Sequence, residues 1–247
     1  MRTSFLLVLT VLVAPLCAAG QDPAPNNKHE AGSAEERAAG LTWAFKPNPR
    51  LPNALIIGDS ISIGYTLKVR RLLLDVANVY RPLSNGGQEP FNCGDTKTGI
   101  KFLNQWLGTN HWDVIHFNFG LHDLKYLDEK GNYVTPDKGK QVTLLEDYEA
   151  NLRLLVVELK KTGASLVWCS TTPIPEGSSG RVKGDEIIYN RVAEKVMKEN
   201  GIAIDDLYFL MAPRCGELQI RKNVHFTGKG SDIQAEAVAN VIRRHLL

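Results

Sequence analysis

At 247 residues, with 43% hydrophobic and 23% charged side chains, the chain is long enough to bury one sizeable core. Its 29 Lys and Arg stand against 27 Asp and Glu, so it lacks the basic stripe that nucleic-acid binding requires, and clusters such as Lys68-Arg70-Arg71 and Lys160-Lys161 read as solvated helix faces. The sequence holds neither a Gly-x-Gly-x-x-Gly nor a phosphate loop with its Lys-Ser/Thr pair, which excludes the common nucleotide-cofactor folds.

In chain order, Arg2, the apolar run Phe5 to Val13 and the small residues Ala18-Ala19-Gly20 read as a secretory signal peptide over residues 1–20. The run is shorter than a membrane span of about 20 apolar residues. The expectation is therefore an exported chain, periplasmic or extracellular, without stable membrane insertion. Residues 21–40 are polar and rich in Pro and Ala without an apolar stripe, the composition of a flexible linker. One domain is expected over 41–247.

Ala54-Leu55-Ile56-Ile57 is a continuous apolar run, suited to a central parallel strand covered on both faces. It ends on Gly58-Asp59-Ser60, after which Ile63, Leu67, Leu72, Leu73 and Val76 recur at roughly helical spacing. Ser60 thus stands where a strand passes into a helix, the end at which open α/β sheets place ligands. To act as a nucleophile its hydroxyl needs a base within reach and donors for a developing oxyanion; a plain turn is the simpler use of the same tripeptide. Asn92-Cys93-Gly94 is a tight turn before the helical pattern Ile100, Leu103, Leu107. Trp112 to Phe119 is a second apolar strand, running into Asn118-Phe119-Gly120-Leu121-His122-Asp123.

Leu152, Leu155, Val156 and Leu159 form a helical stripe that stops at Gly163. A strand Leu166 to Ser170, a helical stripe Ile188, Val192, Val196 and a short strand Ile202 to Ile204 follow. After Asn223-Val224-His225-Phe226-Thr227, a last helix carries Ile233, Ala237, Val241 and Ile242. Strands separated by helix-length segments predict a three-layer αβα sandwich around a parallel, flavodoxin-like sheet of about five strands. Residues 126–143 and 173–185 read as loops near the C-terminal edge of that sheet, placed to shape a substrate site.

The turns at Gly58-Asp59-Ser60, Asn92-Cys93-Gly94, Gly120-Leu121-His122-Asp123 and Asn223-Val224-His225 come in the order of the four blocks of the SGNH (GDSL-type) hydrolases. The chain resembles that family over residues 53 to 245. The resemblance implies a serine esterase. Ser60 is the nucleophile and His225 the base that takes its proton and returns it to the leaving group. The N–H groups of Ser60 and Gly94 form an oxyanion hole, with Gly86 or Gly87 as the alternative to Gly94. The family's third block usually reads Gly-x-Asn-Asp. Here His122 holds the asparagine's place, and a neutral imidazole still has one N–H to donate; Asn118 is the alternative donor. The last block usually reads Asp-x-x-His, and Lys222 stands where the aspartate would. An orienting partner for His225 is then sought in the amide oxygen of Asn223, in Glu217, Asp205 or Asp206, or in a backbone carbonyl.

The implied reaction is hydrolysis of short-acyl esters, acetyl above all, on a small molecule or carbohydrate, without cofactor or metal. Trp112, Trp168, Phe91 and Tyr126 are aromatic candidates for stacking on a sugar. A non-catalytic carbohydrate-binding domain, favoured by the departures at His122 and Lys222, and an O-acyltransferase are the alternatives. Elsewhere, His29 lies in a polar segment, His245 in a last helical turn where a cation suits the dipole, and His116 reads as a buried strand residue. His116, His122 and Asp123 lack the ligand spacing of known metal motifs. Past the signal peptide, Cys93, Cys169 and Cys215 remain. An exported chain can pair two of them, and Cys93 with Cys215 is the expected pair, because Cys169 lies within a strand.

Overall fold

The computed structural model describes residues 41–246, so the expected signal peptide and linker lie outside the described residues. Five parallel strands form the central sheet: β1 (Asn53–Ile57), β2 (Asn78–Tyr80), β3 (Val114–Phe117), β4 (Ser165–Cys169) and β5 (Ala203–Asp205). Their spatial order is β2-β1-β3-β4-β5. This is the flavodoxin-like order, whose reversal between β1 and β3 opens a crevice at the strand ends. Ala54, Leu55, Ile56 and Ile57 are all buried, with β2 on one side of β1 and β3 on the other. Burial of each larger side chain of that run stabilises the fold by about 1.5–3 kcal/mol, which is why the run shows no polar alternation.

The helices are α1 (Ser60–Leu72), α2 (Thr96–Leu107), α3 (Leu145–Lys160), α4 (Asp185–Glu199), α5 (Leu207–Met211), α6 (Cys215–Leu218) and α7 (Gly228–His245). α1 packs against α7, while α3 packs between α2 and α4, giving the outer layers of an αβα sandwich. α1 starts at Ser60 itself, ahead of its apolar stripe, because the Asp59 carboxylate caps it by accepting the Ile61 N–H at 2.9 Å.

Several elements differ from the expectation. β2 is only Asn78-Val79-Tyr80, too short for a pattern to mark it. The segment expected as one long loop after β3 contains a small antiparallel ladder, Tyr126–Leu127 with Lys140–Gln141. The expected Cys93–Cys215 bridge is not formed: Cys93, Cys169 and Cys215 are all free thiols. Cys93 is buried beside the Ser60 turn, its N–H on Gly58 O, whereas the Cys215 thiol lies over Met211 O in the α5–α6 segment. Burial pushes the Cys93 thiol up to about 11, so it is an inert core group.

Candidate active site

Ser60 is the first residue of α1, at the C-terminal end of β1. N–H groups in a helix's first turn have no intrahelical acceptor, so the serine carries both a hydroxyl and a backbone donor at one point. His225 reaches it from the other end of the chain. Its segment is a tight turn in which Ile220 N–H donates to His225 O at 2.9 Å and Thr227 N–H to Leu218 O at 2.8 Å. Gln219 Nε2 ties that turn to Pro173 O at 2.6 Å and to Val224 O at 3.0 Å. Thr227 then caps α7. The result places His225 Nε2 2.8 Å from Ser60 Oγ, with both residues buried.

The other ring nitrogen meets Asn223. Its Oδ1 lies 2.6 Å from His225 Nδ1 and also accepts the His225 backbone N–H at 3.0 Å. An amide oxygen that receives the Nδ1 proton leaves the Nε2 lone pair facing the serine hydroxyl. The other orienting candidates lie elsewhere. Glu217 is exposed and pairs with Lys229 at 2.8 Å; Asp205 is in the core, 2.9 Å from His116 Nε2; Asp206 caps α5 and accepts the Ser170 hydroxyl. Each of these carboxylates is held by a partner of its own. Lys222 is exposed, in a left-handed conformation (φ +57°), its aliphatic stem against Gly177.

Gly94, Asn118 and His122 are the expected oxyanion donors besides Ser60. Gly94 has φ +65°, a left-handed conformation that glycine adopts without strain. Its N–H donates to Asn92 Oδ1 at 3.2 Å, a long bond within its own turn. Gly86 and Gly87 instead form the tip of a hairpin between Leu83–Ser84 and Glu89–Pro90. Asn118 Nδ2 donates to Cys169 O at 2.7 Å and contacts Thr171 Oγ1 at 3.4 Å, tying β3 to β4. That commitment leaves His122 as the side-chain candidate. Lys125 Nζ stands 3.2 Å from His122 Nδ1. An ammonium only donates, so Nδ1 accepts and the imidazole proton is assigned to Nε2. Lys125 is a residue the sequence patterns did not single out; its spacing of three from His122 within one turn is the only signal.

Asp123 has a supporting place. Its Oδ1 accepts both the N–H and the hydroxyl of Thr96, at 2.9 and 2.6 Å, fastening the loop after β3 to the start of α2. Burial pushes its carboxyl up to about 7, against the lowering effect of the Thr96 bonds. His116, His122 and Asp123 are not assembled: they bond respectively to Asp205, Lys125 and Thr96. A different grouping, His116, Cys169 and Asp205, brings its donor atoms within 4.8 Å of one another in the core. The aromatic candidates fare alike. Trp112 and Trp168 are buried, Phe91 packs on Phe102 and Trp106, and the Tyr126 hydroxyl bonds to Asp185, so these side chains are engaged by the protein itself.

No family model matches the sequence, and no curated protein matches it. Solved structures do. An acetyl xylan esterase is 14% identical with a TM-score of 0.61, over 77% of this chain and 99% of that chain. A lipase/acylhydrolase from Enterococcus faecalis is 17% identical with a TM-score of 0.61, over 78% and 96%. A GDSL-like lipase from Bacteroides thetaiotaomicron is 13% identical with a TM-score of 0.57, over 80% and 91%. At such identities the likeness establishes the fold.

Proposed function

We propose that this chain, which has the fold of the SGNH (GDSL-type) hydrolases, is an exported serine esterase that removes short acyl groups, acetyl above all, from carbohydrate or small-molecule esters. The observation that carries the reading is the line from Ser60 Oγ through the His225 ring to Asn223 Oδ1, with contacts of 2.8 and 2.6 Å. Ser60 Oγ attacks the ester carbonyl while His225 Nε2 takes its proton. The N–H groups of Ser60 and Gly94, and His122 Nε2–H, are the oxyanion donors in this reading, the Gly94 N–H giving up its 3.2 Å bond to Asn92 Oδ1. The imidazolium then protonates the departing alkoxide, and water repeats the sequence to free the acid.

A narrow cleft lined by Ser60, Ile61, Gly64, His225, Phe226, Ser231 and Gln234 borders the pair. The fold likeness to an acetyl xylan esterase supports an ester of the same kind. Export rests on residues 1–20; no described helix is long and apolar enough to cross a membrane. The carbohydrate-binding alternative drew on two departures, His122 for the usual asparagine and Lys222 for the usual aspartate; the 2.6 Å contact of Asn223 Oδ1 with His225 Nδ1 supports the catalytic reading against the second of them.

The test is hydrolysis of p-nitrophenyl acetate, butyrate and octanoate and of acetylated xylooligosaccharide. Acetyl esters are expected to turn over fastest, and Ser60→Ala, folded by circular dichroism, to lose at least about 10³-fold in kcat. Equal turnover in Ser60→Ala rejects the mechanism, and a preference for octanoate rejects the short-acyl assignment.

A further inference from the structure

We infer that Arg81 is a positioning residue for this reaction, a buried clamp that holds the loop bearing Gly94 against the turn bearing Ser60. The inference rests on the esterase reading and adds a residue that no sequence block marks. Arg81 follows β2 and is 4% exposed. Its Nη2 donates to Gly58 O at 3.1 Å and to Phe91 O at 2.9 Å. Its Nη1 donates to Ser62 Oγ at 3.2 Å and to Thr66 Oγ1 at 3.0 Å. A single nitrogen thus joins the carbonyl two residues before Ser60 to the carbonyl three residues before Gly94, while the other grips the first two turns of α1. Gly58 O also accepts the Cys93 N–H at 3.2 Å, a second link across the same seam.

The chemistry explains why the residue is an arginine. A guanidinium presents its N–H groups in a rigid plane, so the two carbonyls it bridges are set at a fixed separation; an ammonium is a point donor on a flexible stem. Burying a cation is costly, and among the described residues Nη1 and Nη2 of Arg81 meet carbonyls and hydroxyls rather than a carboxylate, while its Nε–H is buried without a hydrogen-bond partner. Stability alone is poorly served by such an arrangement, since buried ions are often replaced by apolar groups without loss. An oxyanion hole is different. Its two backbone donors sit on separate elements, α1 and the 91–94 loop, and a misplacement of about 1 Å costs roughly 10²-fold in rate. Arg81 acts through Gly58 and Phe91 and touches no substrate.

The experiment compares wild type, Arg81→Lys and Thr66→Val as full chains, with active sites counted by fluorophosphonate titration so that turnover is expressed per competent serine. Arg81→Lys is expected to lower kcat per titrated site about 10–100-fold with KM within about twofold. The acid limb of the pH profile should stay in place, because the Ser60–His225–Asn223 line is untouched. Thr66→Val, which removes one Nη1 acceptor, is expected to lower the same quantity about twofold to fivefold. Wild-type kcat per titrated site in Arg81→Lys overturns the inference even if fewer molecules are folded, as does a raised KM at unchanged kcat. Should Arg81→Lys give no titratable sites, Thr66→Val decides, and unchanged turnover there overturns it. A wild type with no turnover refutes the esterase reading, and this role with it, and is distinct from every result above.

Discussion

Replacing Asn223 by aspartate separates two services that an orienting residue performs, holding the imidazole in the right tautomer and stabilising it once charged. Two donors converge on Asn223 Oδ1, the ring Nδ1–H at 2.6 Å and the His225 backbone N–H at 3.0 Å. A flipped amide would set its NH₂ against both, so the oxygen is locked toward the ring. In a serine protease, exchanging the orienting Asp for Asn costs about 10⁴ in kcat because the tautomer is wrong. On the proposed reading the Asn223 amide oxygen already selects the productive tautomer, and only the charge is missing.

The size of that charge effect follows from the geometry. A carboxylate at position 223 would stand about 4 Å from the centre of an imidazolium, an attraction of about 4 kcal/mol at an effective dielectric of 20. Desolvation at this half-buried position offsets part of it. A net gain of about 1–2 kcal/mol raises kcat by about 5–30-fold and moves the acid limb of kcat/KM up by about one pH unit. Asn223→Ala loses the orientation as well and should fall about 10²–10⁴-fold. The assay is acetyl-ester turnover from pH 5 to 9. The reasoning fails if Asn223→Asp is slower than wild type at pH 8 to 9, or if Asn223→Ala stays within threefold.

Asp123 predicts a pH-dependent stability. Its folded value of about 7 lies above the ordinary 3.8, so the native state binds the proton more tightly than the unfolded chain. The stabilisation is complete below pH 3.8 and is lost as pH rises toward 7. Between pH 5 and 8 the loss is about 3 kcal/mol, and Asp123→Asn, followed by urea unfolding at both pH values, should flatten that slope. Gly120→Ala would place a methyl 2.1 Å from Thr171 Oγ1; overpacking of about 1–3 kcal/mol should lower the melting temperature by several degrees, and an unchanged melting temperature contradicts the close approach of these two strand ends. A thiol count on the denatured, unreduced protein should find Cys93, Cys169 and Cys215 all reactive, consistent with their free state.

How far the sequence can be read depends on whether a feature is set locally. The nucleophile turn is legible because burial of β1 forces an apolar run and Gly58-Asp59 ends it, and the αβα sandwich follows from the alternation of such runs with helical stripes. β2 is not legible, since three residues carry no period. Asn223 is among the candidates for His225, but Glu217 and Asp205 stand beside it on equal terms, because the partners that occupy them, Lys229 and His116, are brought near only by the fold. The same reason hides Arg81: two of its acceptors are backbone carbonyls, which no side-chain pattern marks. The cysteine pair fails for the converse reason. A count says which sulfurs exist, and only geometry says which can meet.

The surroundings of two buried imidazoles, His116 and His225, contrast in a way that bears on how the proposed site works. His116 faces the carboxylate of Asp205 in the core, with the Tyr65 ring edge-on at 6.5 Å. His225 faces an uncharged amide and has the Ser60 hydroxyl on its other nitrogen. A Ser-His-Asn line is neutral at rest, so closing the site around it costs less desolvation than closing it around a carboxylate. The opposite consequence appears in the transition state. With no fixed anion behind the ring, the imidazolium is balanced chiefly by the oxyanion that forms with it, and more of the barrier reduction falls to the donors that hold that oxyanion. On the proposed esterase reading, the precision with which the 91–94 loop and the 120–125 turn are held against Ser60 then governs the rate, and Arg81 and Lys125 matter more than they would beside a charged orienting residue.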